Sequence, residues 1–172
     1  MKKTLIAFLA LPFFAFAIAD WVNVQLDERA SISFPVTPEI KDFGGNQVWV
    51  SDASDSQSRY MMMVMDFSKF GMDSAGVAAE MGKEETFDQF KGGVLGQIPG
   101  ATLISEKKTT VQGKMTFDYV IDMGKKDPKG YSIMHNRNIF SGAKMYSMNF
   151  YEKKDTPKED LRKKFFESFQ IK

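Results

Sequence analysis

Cysteine is absent from the 172-residue chain, and histidine occurs once. Without cysteine there is no disulfide, no thiolate nucleophile and no zinc-thiolate site, so stability has to come from a packed core. A lone histidine, His135, excludes a paired-imidazole metal centre. A charge excess of either sign is also missing, with 23 basic against 22 acidic side chains. Phosphate backbones and anionic membranes are bound by concentrated positive charge, so the composition argues against a nucleic-acid partner. The cluster Arg162-Lys163-Lys164, with Lys158 nearby, reads as the solvated face of a helix. Catalytic signatures are lacking too: there is no G-x-S-x-G elbow and no H-E-x-x-H. Gly92-Gly93-Val94-Leu95-Gly96 lacks the Gly-Lys-Ser/Thr ending of a phosphate loop, and its small residues fit a helix lying close on a sheet. No internal repeat or low-complexity linker interrupts the chain.

What is present begins with the amino terminus. Met1-Lys2-Lys3 is a short positive region, Thr4 to Ile18 is an uncharged apolar run, and Ala17-Ile18-Ala19 supplies small side chains at both positions a signal peptidase inspects. The expectation is a secretory signal over residues 1–19, cleaved near Ala19-Asp20, and one globular domain over residues 20–172 in the periplasm or the medium. A retained anchor fits less well, because the run is shorter than the roughly 20 apolar residues a spanning helix needs and Pro12 interrupts it. Nothing after Asp20 approaches spanning length, and no cysteine offers a lipid attachment point. Losing Lys2 and Lys3 leaves 21 basic against 22 acidic side chains, still near neutrality.

Downstream, alternation dominates. Trp21 to Leu26 and Ser31 to Phe34 have the period of two of half-buried strands, and Pro35 and Pro38 then stop the pairing. Gly44-Gly45-Asn46 reads as a turn, Gln47 to Ser51 as a strand, Asp52 to Ser58 as a loop, and Tyr60 to Phe67 as the most apolar strand. Asp73-Ser74 offers an N-cap for a helix over Ala75 to Met81, and Phe87, Phe90, Val94 and Ile98 form one stripe of a second helix that Pro99-Gly100 ends. Gly92 and Gly93 weaken that second helix. Two hairpins follow, Leu103 to Val111 with Met115 to Met123 around Gln112-Gly113, and Tyr131 to Phe140 with Lys144 to Tyr151 around Ser141-Gly142-Ala143. Thr156-Pro157-Lys158-Glu159 has the residues of a capping box, Thr156 at the cap and Glu159 at the third position, ahead of Leu161, Phe165 and Phe169. Hairpins in place of strand-helix alternation predict an α+β fold, one mostly antiparallel twisted sheet of about seven or eight strands with helices packed on its faces.

Ser31-Ile32-Ser33-Phe34-Pro35-Val36-Thr37-Pro38-Glu39 near the start of the domain, the hairpins of the second half and Phe165-Phe166-Glu167-Ser168-Phe169 at the close make the chain similar to exported bacterial proteins with the PsbP-like fold. That resemblance runs in order over nearly the whole chain after the signal. It implies an antiparallel sheet sandwiched between helices and a binding or assembly-factor scaffold, and it carries over no catalytic residue and no cofactor.

The candidate functional residues are few. Trp49, Tyr60 and Tyr131 are placed to wall a pocket for an apolar ligand, though sheet packing explains them equally well. His135, with Arg137 on the same strand face, could act as a general base, or could be a hydrogen-bonded structural histidine. Met61, Met63 and Met65 share one strand face, with Met145 and Met148 in a later strand, and thioethers can hold copper(I). Core packing by methionine produces the same pattern. Asp66, Glu84, Glu85, Asp118 and Asp122 are the acids a carboxylate-based hydrolase would draw on. The expectation is a non-catalytic exported domain that binds another envelope component, a protein or a small apolar ligand. A periplasmic hydrolase using carboxylates or His135 is the alternative, and copper binding by the strand methionines is the weaker one.

Overall fold

The structure is a computed structural model that describes residues 21–53, 57–124 and 127–172. The predicted signal and its cleavage site lie outside the described residues. Chain order is β1 (Val22–Gln25), β2 (Ala30–Phe34), β3 (Glu39–Phe43), β4 (Asn46–Asp52), β5 (Ser58–Asp66), a single 3-10 turn (Phe67–Phe70), α1 (Ser74–Gly82), α2 (Glu84–Gly96), β6 (Thr102–Val111), β7 (Lys114–Asp122), β8 (Ile133–Ser141), β9 (Lys144–Glu152), α3 (Glu159–Glu167) and β10 (Gln170–Ile171). Seven strands form one antiparallel sheet in the order β3-β4-β5-β9-β8-β7-β6, and β1-β2-β10 form a smaller one. The α+β class and the large antiparallel sheet are as expected from the alternation.

Three layers result. On one face of the large sheet, Phe165 and Phe169 join Ile32 and Phe34 of the small sheet over Trp49, Tyr60, Met62, Tyr146, Met148 and Phe150. On the other, Val77, Met81 and Phe87 of the α1-α2 pair cover Phe117, Tyr119, Ile121, Met134 and Phe140. Where both cores draw on one strand they take alternate positions, Ile139 against Met134 and Phe140 on β8 and Tyr146 against Met145 on β9, as a pleated sheet covered on both faces requires. Burial of each such side chain stabilises by about 1.5–3 kcal/mol, which gives a chain without disulfides its core.

Turn chemistry sets the hairpins. Gln112 and Gly113 both have positive φ (49° and 73°), the conformation of a two-residue turn whose twist suits its strands. The Gln112 carboxamide donates to Phe169 O at 2.7 Å and accepts from Ile171 N–H at 3.2 Å, which ties this turn to the carboxyl-terminal strand.

Three local expectations are corrected. Helix α3 starts at Glu159 with Lys158 as its N-cap and no side-chain cap, so the Thr156 capping box does not form. The Lys158 N–H is instead accepted at 2.6 Å by Glu152, the last residue of β9. Glu39–Phe43, to which the sequence pattern assigns no element, form β3. Finally, ideal Cβ atoms at Gly92, Gly93 and Gly96 would meet nothing within 4 Å, so close helix-sheet approach is not why α2 has glycine there.

Candidate functional site

The helices cover the large sheet unevenly. Phe87 seats on Phe117 and Tyr119 (ring centroids 4.8 and 5.4 Å apart), and Phe90 on Phe140 at 5.6 Å, so α2 grips β7 and the far end of β8. Its carboxyl-terminal half buries no residue fully. Between that half and the face of β4, β5, β9 and β8 runs a groove of about 790 Å³. The period of two aims Met61, Met63 and Met65 of β5 into it, with Val94 of α2 and Ile98 just beyond its end on the facing wall and Phe43 of β3, 74% exposed, at the rim. Met134 and Met145 complete the thioether lining.

The groove continues into a second recess of about 710 Å³ with which it shares Lys41, Val50, Met61 and Tyr151. That end is charged, and its charges are paired. Arg59 donates to Asp52 at 2.9 Å and to Asp127 at 3.2 Å, Lys129 reaches Asp52 at 2.6 Å, and Lys41 pairs with Glu39 at 3.1 Å. Burial would raise the Asp52 carboxyl, but the bonds from Lys129 and Arg59 outweigh it and hold the group below its ordinary value. The Tyr131 phenol is pushed up to about 12, chiefly by burial and then by Asp52. Its ring lies under the Arg59 guanidinium at 5.2 Å.

The floor is polar. Asn136 and Asn138 of β8 and Ser147 and Asn149 of β9 all face the groove, each less than a tenth exposed. Register places Asn136 opposite Asn149 and Asn138 opposite Ser147. None of these residues stood out in the sequence, because a strand asparagine ordinarily reads as solvent-facing. The one available signal was phase: in Met134-His135-Asn136-Arg137-Asn138-Ile139-Phe140 the asparagines share a face with Met134 and Phe140.

The solution structure of cyanobacterial PsbP (CyanoP) from Synechocystis sp. PCC 6803 is similar to this chain at a TM-score of 0.61 and 12% identity, covering 92% of this chain and 96% of that one. The chain has the PsbP-like fold. A looser similarity, TM-score 0.48 at 14% identity over 88% of this chain and 96% of that one, is to the Ran-binding protein Mog1p of Saccharomyces cerevisiae. No protein-family model matches the chain. No curated protein sequence matches it either.

On this PsbP-like scaffold the sequence-predicted residues disperse. Trp49 and Tyr60 belong to the core under α3 and Tyr131 to the opposite core, so the three do not wall one pocket. Strand phase is the reason, since Trp49 and Tyr60 take the positions that face away from the groove. Met61, Met63 and Met65 do share a face, and it is the groove face. His135 sits in the opposite phase, so no imidazole stands beside those thioethers. Among the described residues no group of three or more histidines and carboxylates could hold a metal.

His135 does meet an acid. Its Nε2 lies 2.7 Å from Glu152 Oε1, and Arg162 Nη1 approaches Nδ1 at 3.1 Å and Nε2 at 3.0 Å. An Nε2–H donating to Glu152 leaves Nδ1 as the acceptor for Arg162. Burial would raise the Glu152 carboxyl, yet the hydrogen bonds from His135 and from Lys158 N–H, with the Arg162 charge, keep it below its ordinary value. Neither His135 nor Glu152 lines the groove or its adjoining recess, and the cluster fastens α3 to the sheet. Four of the five acids are likewise engaged: Asp118 holds Arg137 through two 2.8 Å bonds, Asp122 takes Lys154, Asp66 caps the 3-10 turn and Glu84 faces Lys108.

Proposed function

We propose that the chain is an exported, non-catalytic domain that binds an apolar ligand or apolar partner segment in the groove between α2 and the large sheet. The observation that carries this reading is the groove itself, a thioether- and aliphatic-lined channel open to solvent beside a half-packed helix. Sites of about 300–1,000 Å³ with apolar walls and a few fixed polar groups are the usual form of ligand pockets. The histidine-acid pair lies outside the groove and its adjoining recess, which supports binding over hydrolysis there. The leader sequence supports a periplasmic or secreted location.

A neutral, environment-sensitive dye such as Nile red tests the groove. The wild-type protein is expected to bind it with a saturable rise in fluorescence, and Met63→Trp, which fills the groove, is expected to weaken binding at least tenfold with the melting temperature retained. Equal dye affinity in the folded Met63→Trp variant would place the binding elsewhere and end the reading.

A further inference from the structure

A wholly apolar ligand would leave one polar atom of the groove floor, Asn138 Oδ1, without a partner. Inside the polar square, Asn136 Nδ2 donates to Asn149 Oδ1 at 2.7 Å and to Ser147 Oγ at 3.3 Å, Asn138 Nδ2 donates to Asn136 Oδ1 at 2.7 Å, and Asn149 Nδ2 reaches Ser147 Oγ at 3.5 Å. The carbonyl oxygen of Asn138 accepts no hydrogen bond from any described residue, although the residue is only 2% exposed and lines the groove. Covering that oxygen with an apolar ligand would strip its water and supply no partner, a cost that a ligand donor placed against it removes.

We propose that the groove takes an uncharged, apolar peptide segment of a partner protein in extended form, its backbone hydrogen-bonded by the carboxamides of the floor. The proposal rests on the groove being a binding site and names the occupant. Charge comes first. Carboxamides and a hydroxyl are neutral, Asp42 at the rim is engaged by the Gly45 N–H, and Lys41, Arg59 and Lys129 are already paired with Glu39, Asp52 and Asp127, so an anionic ligand would find no unpaired cation among these lining residues. Spacing is the second argument. Asn136 and Asn138 stand two residues apart on one strand, about 7 Å, which is the repeat of same-side backbone groups in an extended peptide. A carboxamide both donates and accepts, as a peptide bond does, whereas a hydrocarbon chain would desolvate the whole square and return nothing. The walls supply the third. Met61, Met63, Met65, Met134 and Met145 present flexible thioethers, which repack around apolar side chains of differing shape.

Fluorescence anisotropy of labelled decapeptides on the processed full-length protein, with Nile red displacement in parallel, tests this. An uncharged apolar peptide is expected to bind and displace the dye. The same peptide carrying two lysines or two glutamates, and one with alternate backbone nitrogens methylated, are each expected to bind at least tenfold more weakly. Asn138→Leu is expected to keep dye binding and lose peptide affinity tenfold. Should that variant misfold because Asn136 Oδ1 loses its donor, the methylation series on the wild-type protein still decides. Dye binding without displacement by any peptide, equal affinity for the methylated peptide, or better displacement by a neutral long-chain alcohol would each overturn the peptide assignment and leave the groove reading standing. Failure of the dye itself to bind would end both.

Discussion

Gly124 follows β7 with φ +68°, and a Cβ there would collide with the backbone carbonyl oxygen of Gly100, at the end of the loop after α2. Gly113 has a similar φ, +73°, but open space around it. The pair separates strain from collision. Gly113→Ala is expected to cost about 1 kcal/mol through the left-handed backbone alone, and Gly124→Ala about 2–4 kcal/mol because the carbonyl must also move. Equal melting temperatures for the two variants would refute the close approach. Asp27 is the second informative residue. Its carboxylate accepts from Lys144 Nζ and Tyr146 Oη, both at 2.8 Å, and from the Arg29 and Ala30 N–H groups, both at 2.9 Å. Burial opposes its ionisation, but these bonds outweigh burial and bring its pKa down to about 2 from an ordinary 3.8. A depressed carboxylate binds fewer protons folded than unfolded, so its stabilisation is complete above 3.8 and is lost as pH falls toward 2. Thermal melts across that window should show the wild type losing stability more steeply than Asp27→Asn; parallel curves would remove Asp27 from the acid limb.

Among the elements, α2 is the least secured. Its amino-terminal half carries the buried Thr86 and Phe87, while Gly92, Gly93 and Gly96 weaken the half that borders the groove. Gly92→Ala adds a methyl group that meets nothing within 4 Å, so it is expected to raise stability by about 0.5–1 kcal/mol through helix propensity alone. A lower melting temperature would reveal a contact not visible at this position. Most elements were legible because their signals are local: strand alternation, the Asp73 cap of α1, which accepts the Gly76 N–H at 2.7 Å, and the Phe87-Phe90-Val94 stripe of α2. The failures share a cause. Strand β3 is an edge strand exposed along its whole length, so it has no buried face to impose alternation. Strand β10 has two residues and exists through pairing with β2. The capping box at Thr156 is locally well formed in sequence, yet Glu152, fixed at the end of β9 by its bond to His135 of β8, holds the Lys158 N–H.

For the molecule as a whole, the leader predicts that the protein recovered from the envelope begins at Asp20; amino-terminal sequencing of that fraction checks it, and an intact Met1 terminus would refute it. Residue order by itself determined the absence of thiol chemistry, the near-neutral charge and the α+β class, since composition and nearest-neighbour periodicity are carried by the chain before it folds. Tertiary structure alone decided where binding can occur. Strand phase sent Trp49, Tyr60 and His135 to one face and Met61, Met63 and Met65 to the other. The register of β8 against β9 brought Asn136, Asn138, Ser147 and Asn149 into one square, and the position of α2 left that square uncovered. Register and coverage depend on contacts between segments far apart in the chain, and no local pattern encodes them.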